Sequence, residues 1–279
     1  MTQPTSDTLT SLFRSRYGGE SPRSAPPSAN PVLETLLAHR SVRAFDAERA
    51  LPPGTLEWLI AAAQSAPSSS NLQTWSVVAV EDPERRARIA EYAGRQAQVR
   101  EAPLLLVWLA DVARLRTLAD DAAVPIEGAD FLDTSLMAVI DAAMAAQNAV
   151  TAAESLGLGT VYLGAIRNRP EEVAAELGLP PGVFAVVGLC IGWPDPARPA
   201  AVKPRLPQRA VLSHERHAAS DTVGHVKHYD ATMQSFYASQ GMPAVRWSDH
   251  SLARLRDPAQ LRGRHRLVEA LAAQRIGLR

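Results

Sequence analysis

Cationic side chains are concentrated in one short segment near the start of the globular part of the chain. The sequence HRSVR places His39, Arg40, Ser41 and Arg43 directly after an apolar stretch, and no acidic residue follows before Asp46. Arginine suits planar, bidentate recognition of phosphate, and such charge-assisted hydrogen bonds are about twice as strong as neutral ones. The segment indicates a local anion site, although a solvated charged surface would give the same pattern.

Two further segments carry groups that could bind the same kind of ligand. Ser68, Ser69 and Ser70 lie in a polar loop and offer hydroxyl and backbone N–H groups. Lys203 and Arg205 stand in KPRLP, where prolines stiffen the backbone and reduce the entropy lost on ordering. Together with HRSVR, these cations could converge on one phosphate. A polar linker and a surface loop are the alternative interpretations.

Common nucleotide-binding motifs do not occur in the sequence. There is no G-x-x-x-x-G-K-[ST], and GLGTVYLG at residues 157–164 has the wrong spacing for G-x-G-x-x-G. The YLGA sequence at residues 162–165 ends a predicted strand in a small-residue turn, where the backbone can approach a planar ligand closely. His225 and His228 lack a further ligand nearby in sequence, so we predict no metal site.

Composition argues against several classes of function. The 279 residues include 29 Lys plus Arg and 29 Asp plus Glu, so no overall positive field attracts nucleic acid or an anionic membrane. Cys190 is the single cysteine, expected to be a small core residue, and a chain without disulfides favours a reducing compartment. The N-terminus lacks an apolar signal region. We therefore expect a cytoplasmic protein that binds neither nucleic acid nor membranes.

Hydrophobic periodicity predicts the elements that position these groups. Strands are predicted at Trp75–Val80, Leu104–Leu109, Thr160–Leu163 and Phe184–Ile191. Between and after them, helices are predicted at 31–38, 56–65, 83–92, 171–177, 223–239 and, with breaks, 248–273. A long helix over residues 131–156 has apolar residues on nearly its whole circumference, which predicts a buried central helix. Scattered strands between unequal helices favour an α+β fold.

The first 30 residues differ in composition from the remainder. The sequence GGESPRSAPPSANP is rich in Pro, Ser and Gly, and such a segment buries too little apolar surface to offset its ordering entropy. We therefore predict an N-terminal arm over residues 1–30, either flexible or laid over a neighbouring surface, and one globular domain over residues 31–279. The helical region after Pro207 has few apolar residues for its length, so it could fold against a partner subunit.

With these segments identified, the chain resembles the FMN-dependent, oxygen-insensitive nitroreductases, in particular the branch of NADPH nitroreductases and NADPH–flavin oxidoreductases. The matching stretches occur in the family's order between about residues 31 and 250: LLAHRSVRAF, SSSNLQ, IDAAMAAQNAVTAAESLGLGTVYLGAIRN, VVGLCIGWP, KPRLP and WSDH. The resemblance implies a central, mostly antiparallel sheet flanked by helices. It also implies an intertwined homodimer whose C-terminal helical extensions are exchanged between subunits.

The resemblance further implies which residues contact the cofactor FMN. They come from all of the segments described above: His39, Arg40, Ser41, Arg43, Ser68, Ser69, Ser70, Gln96, Tyr162, Leu163, Gly164, Ala165, Lys203 and Arg205. Lys203 and Arg205 would hold the phosphate, and residues 162–165 would run along the isoalloxazine edge. Asn71 would lie on the substrate face, where relatives often have an aromatic or bulky residue.

Two departures from the family pattern concern specificity. The chain has Gly164-Ala165 where the family tends to have two glycines after the strand. An arginine associated with NADPH binding aligns with Gln240, although Arg246 lies nearby in sequence. NADPH is the expected hydride donor, with NADH as the alternative.

In the implied mechanism the cofactor carries the chemistry, and the protein supplies position and electrostatics. We expect no catalytic acid or base from the protein. Arg43 would stabilise charge on the reduced flavin, and a backbone N–H near Gly164 would orient the flavin N5. In a two-electron ping-pong cycle, NAD(P)H would reduce FMN, and a nitroaromatic, a quinone or free flavin would then accept the electrons. The alternatives are a non-catalytic flavin-binding module and a hydrolase, for which no G-x-S-x-G motif is present.

Overall fold

Contacts divide the chain into two units, and the boundary falls inside the HRSVR segment. A computed structural model describes residues 3–218 and 221–279. The smaller unit comprises the described residues up to Arg40 together with those of 200–260. The larger unit comprises Ser41–Pro199 and Leu261–Arg279. The HRSVR segment therefore contributes residues to both units.

A four-stranded sheet forms the centre of the larger unit. Its strands are β1 (Trp75–Val80), β2 (Leu104–Asp111), β3 (Gly159–Leu163) and β4 (Val183–Gly192). They are ordered β1-β2-β4-β3, and every neighbouring pair is antiparallel. β2 and β4 occupy the centre and are almost wholly buried, as expected for strands that are apolar on both faces. The predicted α+β class with an antiparallel central sheet is confirmed.

The described residues form eleven α-helices, most of them close to their predicted bounds. They are α1 (Ser6–Arg16), α2 (Pro31–Ala38), α3 (Thr55–Gln64), α4 (Pro83–Tyr92), α5 (Ala97–Glu101), α6 (Ala113–Ala122), α7 (Leu132–Ser155), α8 (Pro170–Leu177), α9 (Thr222–Ser239), α10 (Trp247–Leu255) and α11 (Leu267–Ala273). In the larger unit, α3 packs on α7, and both contribute to a core with β2 and β4. The cap of α4 explains its sharp start, because the Asp82 carboxylate accepts the Arg85 N–H at 2.6 Å.

The long helix α7 is less buried than its sequence predicts. One face, lined by Ala138, Ala142, Ala145 and Ala149, lies in the core. Leu132, Leu136, Val139 and Ile140 are exposed, so the prediction of a helix buried on all sides is wrong for this chain by itself. Apolar periodicity cannot separate a core face from a face that another molecule covers. By length and composition α7 is the one described helix that could span a membrane, a property that core helices of soluble proteins share.

Helices α1, α2, α9 and α10 belong to the smaller unit. The N-cap residues Thr5 and Asn30 accept backbone N–H groups of α1 and α2 at 3.1 Å. The Asp230 carboxylate on α9 accepts the Ser248 N–H at 2.9 Å and the Ser248 hydroxyl at 2.6 Å, which fixes the start of α10. The composition of the first 30 residues did not predict α1. The flexibility of this N-terminal segment stays a prediction.

Cys190 lies on β4 in the core of the larger unit. It is fully buried and pairs in register with Leu105 on β2 and Val161 on β3. Burial raises the pKa of its thiol to about 12, against a smaller opposing effect of Arg86. Cys190 is therefore a protonated, small core side chain, as predicted.

Candidate functional site

The serine loop, which we define as residues 68–73, has an unusual backbone. Ser70, Asn71 and Gln73 have φ values of 49°, 55° and 52°. Residues other than glycine adopt this left-handed conformation in only a few per cent of cases, and each such residue costs energy. Three of them within four positions require contacts that hold the loop in place.

Those contacts come from one buried carboxylate on α7. Asp141 is only 1% exposed, and its two oxygens accept four hydrogen bonds. The donors are the Ser68 hydroxyl at 2.7 Å, the Ser69 N–H at 3.1 Å, and the Thr74 N–H and hydroxyl at 3.2 and 3.1 Å. Asp141 thus fixes the start and the end of the serine loop. Sequence reasoning did not select this residue, although an acidic residue inside an apolar helix was a visible signal.

The inward bonds determine which groups of the loop face outward. The Ser68 hydroxyl also accepts the Gln73 N–H at 2.8 Å, so both of its polar functions are used within the protein. Ser69, Ser70 and Asn71 are exposed. A cleft of about 500 Å³ lies between the loop and α7, lined by both polar and apolar residues: Pro67, Ser68, Ser69, Asp133, Leu136, Met137, Ile140, Asp141 and Met144.

The second half of HRSVR runs along β3. The Val42 N–H donates to the Thr160 carbonyl at 2.9 Å, and Ser41 forms a parallel bridge with Thr160. Gly159 permits this close approach, because a Cβ at that position would lie 2.8 Å from the Cβ of Val42. Ser41 and the exposed Arg43 are thereby held beside the strand that leads to the predicted flavin-edge residues.

The predicted flavin-edge residues, 162–165, form the end of β3 and the turn after it. Burial, with a smaller effect of Glu154, raises the pKa of Tyr162, so its hydroxyl is protonated at neutral pH. Leu163 is buried, whereas Gly164 and Ala165 are partly exposed. At Gly164, a Cβ would meet only the ends of the Arg167 and Arg264 side chains, at 3.6 and 3.8 Å. The protein itself therefore has room for a methyl group at this position.

Gln96 lies apart from these groups in sequence, just before α5. Its side-chain oxygen accepts the Gln98 amide at 2.7 Å, which orients the Gln96 side chain. Gln96 is partly exposed and belongs to the larger unit. The structure gives no hydrogen bond between Gln96 and the other predicted flavin contacts of that unit, among the residues described.

In the smaller unit, Arg16 bonds to the backbone of the segments that carry the predicted phosphate-binding cations. The buried Arg16 guanidinium donates to the Lys203 carbonyl at 2.9 Å and to the His39 carbonyl at 2.6 Å. The Arg205 N–H donates in turn to the Arg16 carbonyl at 2.8 Å. Two segments that are more than 160 residues apart in sequence therefore meet at one side chain. Arg40, next to His39, is exposed.

Further contacts fix the KPRLP segment and leave its charges available. The Tyr229 hydroxyl donates to the Pro204 carbonyl at 2.8 Å, and burial raises the pKa of Tyr229. The Lys203 ammonium lies 5.3 Å from the centre of the Tyr237 ring. Within the described part of the chain, neither Lys203 nor Arg205 forms an ion pair with a carboxylate. Such cations are available to an external anion.

The residues considered for nicotinamide specificity and for metal binding have other partners. The Arg246 guanidinium forms a bidentate pair with Asp249, at 2.8 and 2.9 Å, and Gln240 caps the C-terminus of α9. The Arg209 Nε donates to the Nδ1 of His225 at 3.3 Å. Over residues 3–218 and 221–279, no three His, Cys, Asp or Glu side chains are grouped as a metal site.

Comparison with known proteins assigns the chain to a family. The Nitroreductase family profile matches residues 36–193, and the profile of the Nitroreductase family C-terminal domain matches residues 203–279. The NADPH-flavin oxidoreductase of Vibrio harveyi is 40% identical over 211 residues, covering 76% of this chain and 84% of that protein. The FMN reductase [NAD(P)H] of Bacillus subtilis is 39% identical over 223 residues, covering 78% and 88%. The solved structure of Bacillus megaterium NfrA2 covers 90% of this chain and 99% of its own, with a TM-score of 0.84 and 34% identity. The chain belongs to the nitroreductase family.

Proposed function

We propose that this protein is an FMN-dependent oxidoreductase that uses NAD(P)H to reduce nitroaromatics, quinones or free flavin. Family membership and the names of the two flavin-reducing relatives support the reaction class. The observation that carries the proposal for this chain is the meeting of the His39–Arg40 and Lys203–Arg205 segments around Arg16. Two stiffly held, cation-bearing segments suit a terminal phosphate, the anionic group of FMN.

The side chains present fit FMN by their chemistry. Arg40, Lys203 and Arg205 would hold the phosphate, and the exposed Ser69 and Ser70 offer hydroxyl groups for the polar parts of the cofactor. Gly164 has no Cβ, and only the ends of the Arg167 and Arg264 side chains lie near it, which suits close approach of a planar ring to the backbone. When bound, FMN would supply the two-electron chemistry by exchanging hydride with the nicotinamide and the acceptor.

The protein's own residues would position and stabilise this cofactor. Arg43, held beside β3, would place a positive charge near the flavin where negative charge develops on reduction. Asn71, exposed and in a left-handed conformation, would contribute to the face that receives substrates. None of these roles transfers a proton, and the proposal assigns no catalytic acid or base to the protein.

NADPH is the favoured donor in this proposal, and NADH is the alternative. The names of the two relatives include NADPH and NAD(P)H. Arg246 is the cation nearest in sequence to the expected NADPH contact, and its pairing with Asp249 is exposed. An exposed pair of this kind contributes little free energy, so a 2′-phosphate could compete with Asp249 for the guanidinium.

We further propose that the active form is a cytoplasmic homodimer in which α7 is covered by the second copy. The exposed residues Leu132, Leu136 and Ile140 form an apolar face, and Leu136 and Ile140 also line the cleft beside the serine loop. Changing Leu136 and Ile140 to Asp should convert the protein from about twice its 30.0 kDa chain mass to monomers in sedimentation. Leu118→Asp, an equally exposed change on α6, should leave the mass unchanged.

The proposed activity is tested by anaerobic mixing of the FMN-loaded protein with each nicotinamide. NADPH, and to a lesser degree NADH, should bleach the oxidised flavin absorbance within seconds. Addition of a nitroaromatic or quinone should then restore the absorbance and convert the acceptor. If FMN binds tightly but neither nicotinamide bleaches it, the protein is a flavin-binding module, and the proposed enzymatic function is wrong.

A further inference from the structure

Arg16 stands out because it is buried in the smaller unit and is bonded to the backbone of both cation-bearing segments. Besides the carbonyls of His39 and Lys203, its guanidinium donates to the Leu37 carbonyl at 2.9 Å. Arg16 is only 7% exposed, which is unusual for an arginine. Its planar group, with donors in fixed directions, restrains the relative positions of these carbonyls more strongly than a lysine could.

The turn at the end of α1 places Arg16 in this position. Arg16 is the last residue of the helix, and the Gly19 N–H closes the turn by donating to the Arg14 carbonyl at 2.8 Å. Gly18 adopts φ of 63°, and a Cβ there would lie 2.3 Å from the Thr232 side chain on α9. The chain therefore turns sharply against α9 directly after Arg16, and a side chain at position 18 would push it away.

The electrostatic effect of these bonds favours an anion. Backbone carbonyl oxygens carry partial negative charge, and carbonyls facing a phosphate would repel it. The carbonyls of Leu37, His39 and Lys203 are instead directed at the Arg16 guanidinium. The side chains of Arg40, Lys203 and Arg205 therefore extend from backbone segments that are fixed and whose three Arg16-bonded carbonyls are turned away from an anion. This fixed backbone reduces the ordering cost of binding.

α1 lies outside the part of the chain that the family profile describes. The Nitroreductase match begins at residue 36, twenty residues after the end of α1. The family's predicted phosphate-binding segments, around His39 and Lys203, lie within the two matched regions or at their start. The N-terminal segment therefore adds a support to these segments from outside the matched regions.

We propose that Arg16 is a positioning residue for the flavin phosphate: it does not contact the cofactor, but it holds the segments whose cations do. This inference rests on the proposed FMN-binding function. It predicts a loss of affinity that is specific for the phosphate. Riboflavin has the same ring system without the phosphate and serves as the comparison. A general folding defect would weaken binding of both flavins, whereas a misplaced phosphate site would weaken binding of FMN alone.

The test measures binding of FMN and of riboflavin to the full-length apoprotein by quenching of flavin fluorescence. Arg16→Ala should weaken FMN binding about 10- to 100-fold, the range expected when charge-assisted hydrogen bonds are misplaced. Riboflavin binding should change less than about 3-fold. Arg16→Lys, which keeps the charge but loses the planar donor set, should give an intermediate loss for FMN. Arg14→Ala removes the same charge from an exposed position on α1 and is the matched control.

Each outcome decides one question. Equal losses for FMN and riboflavin in Arg16→Ala, or no loss for either, would overturn the positioning role while leaving the proposed function intact. If Arg16→Ala does not fold, Arg16→Lys decides by the same FMN-to-riboflavin ratio. Wild-type protein that binds neither flavin would instead refute the proposed function itself, and the positioning role with it.

Discussion

In the larger unit a buried carboxylate gathers N–H and O–H donors of the serine loop, whereas in the smaller unit a buried guanidinium gathers carbonyl oxygens. Asp141 binds groups at the two ends of the serine loop. Arg16 binds carbonyls of two segments that are distant in sequence. Asp141 accepts both backbone N–H groups and the side-chain hydroxyls of Ser68 and Thr74, whereas the bonds described for the Arg16 guanidinium go to backbone carbonyls.

The difference in sign has a consequence for what each segment can bind. The Ser69 N–H of the serine loop is bonded to Asp141, which leaves the hydroxyl-bearing side chains of Ser69 and Ser70 exposed. The segments around His39 and Lys203 have committed carbonyls to Arg16, so their cations remain. The buried carboxylate thus leaves hydroxyl groups exposed in the serine loop, and the buried guanidinium leaves cations exposed in the segments around His39 and Lys203. The two regions are therefore suited to different parts of a ligand.

Removing Asp141 should have the largest effect on stability. Asp141→Ala leaves the Thr74 N–H and hydroxyl buried without an acceptor and releases three residues in left-handed conformations. We expect a loss of about 3–5 kcal/mol in the free energy of unfolding, measured by urea denaturation. Asp121→Ala, an exposed change on α6, should cost less than about 0.5 kcal/mol. A cost below about 1 kcal/mol for Asp141→Ala would show that the carboxylate does not hold the loop.

Gly159 at the start of β3 and Gly164 directly after its end are expected to have different roles. The role of Gly159 is structural, and that of Gly164 depends on the ligand. Gly159→Ala should destabilise the protein by about 1–3 kcal/mol, because the new methyl group would overlap Val42. Gly164→Ala should change stability by less than about 0.5 kcal/mol, because its methyl group meets only side-chain ends at 3.6 Å or more. FMN affinity should nevertheless fall in Gly164→Ala. Thermal unfolding and flavin titration of both variants and of wild type test these expectations. A large loss of stability in Gly164→Ala, with no loss of FMN affinity, would contradict the ligand-dependent role of Gly164.

Glu101, which is partly exposed, should contribute least to the free energy of unfolding among the residues considered. Glu101 accepts the Phe45 N–H at 3.2 Å and pairs with Arg198 at 3.0 Å. Arg198, and more weakly the Phe45 N–H, lower the pKa of Glu101. This stabilisation is therefore present above the ordinary glutamate pKa of about 4.3 and is lost as the pH falls through the lower folded-state value. After allowance for solvent screening, Glu101→Gln should cost less than about 1 kcal/mol at pH 7.

The pH dependence supplies the check on Glu101. In urea unfolding between pH 7 and pH 3, the difference between wild type and Glu101→Gln should shrink at the acidic end. Glu48→Gln, an exposed change three residues after Phe45, is the control variant and is measured in the same series. A difference that grows as the pH falls would contradict the sign of the shift.

Much of the fold was predictable because its signals are local. The strand Trp75–Val80 and the helices Pro31–Ala38 and Pro83–Tyr92 have their predicted bounds, which follow from β-branched residues, caps and prolines. The bounds of the long helix α7 were predicted to within one residue at each end, but its exposed apolar face was not predicted. Leu136 and Ile140 have the same residue types as core positions, and sequence spacing does not reveal which molecule covers them.

The supports of the candidate site were not predictable in the same way. Arg16 lies within the first 30 residues, which the composition predicts to be an arm, and its partners include a carbonyl 187 residues away. Asp141 is one charge in an apolar helix, and its meaning depends on a loop 72 residues earlier in the chain. Hydrogen bonds to backbone atoms leave no trace in the identity of the partner residue. Their detection requires the folded chain.

The burial of Cys190 makes the protein a convenient object for site-specific labelling. Its only native thiol is buried in the sheet and stays protonated far above neutral pH. Maleimides and thiol-specific spin labels should therefore not react with it. A cysteine engineered at Ser11, on the exposed side of α1, would then be the single reactive position. A nitroxide there would report, through its spectral line shape, whether the N-terminal helix stays docked as the flavin is bound and released.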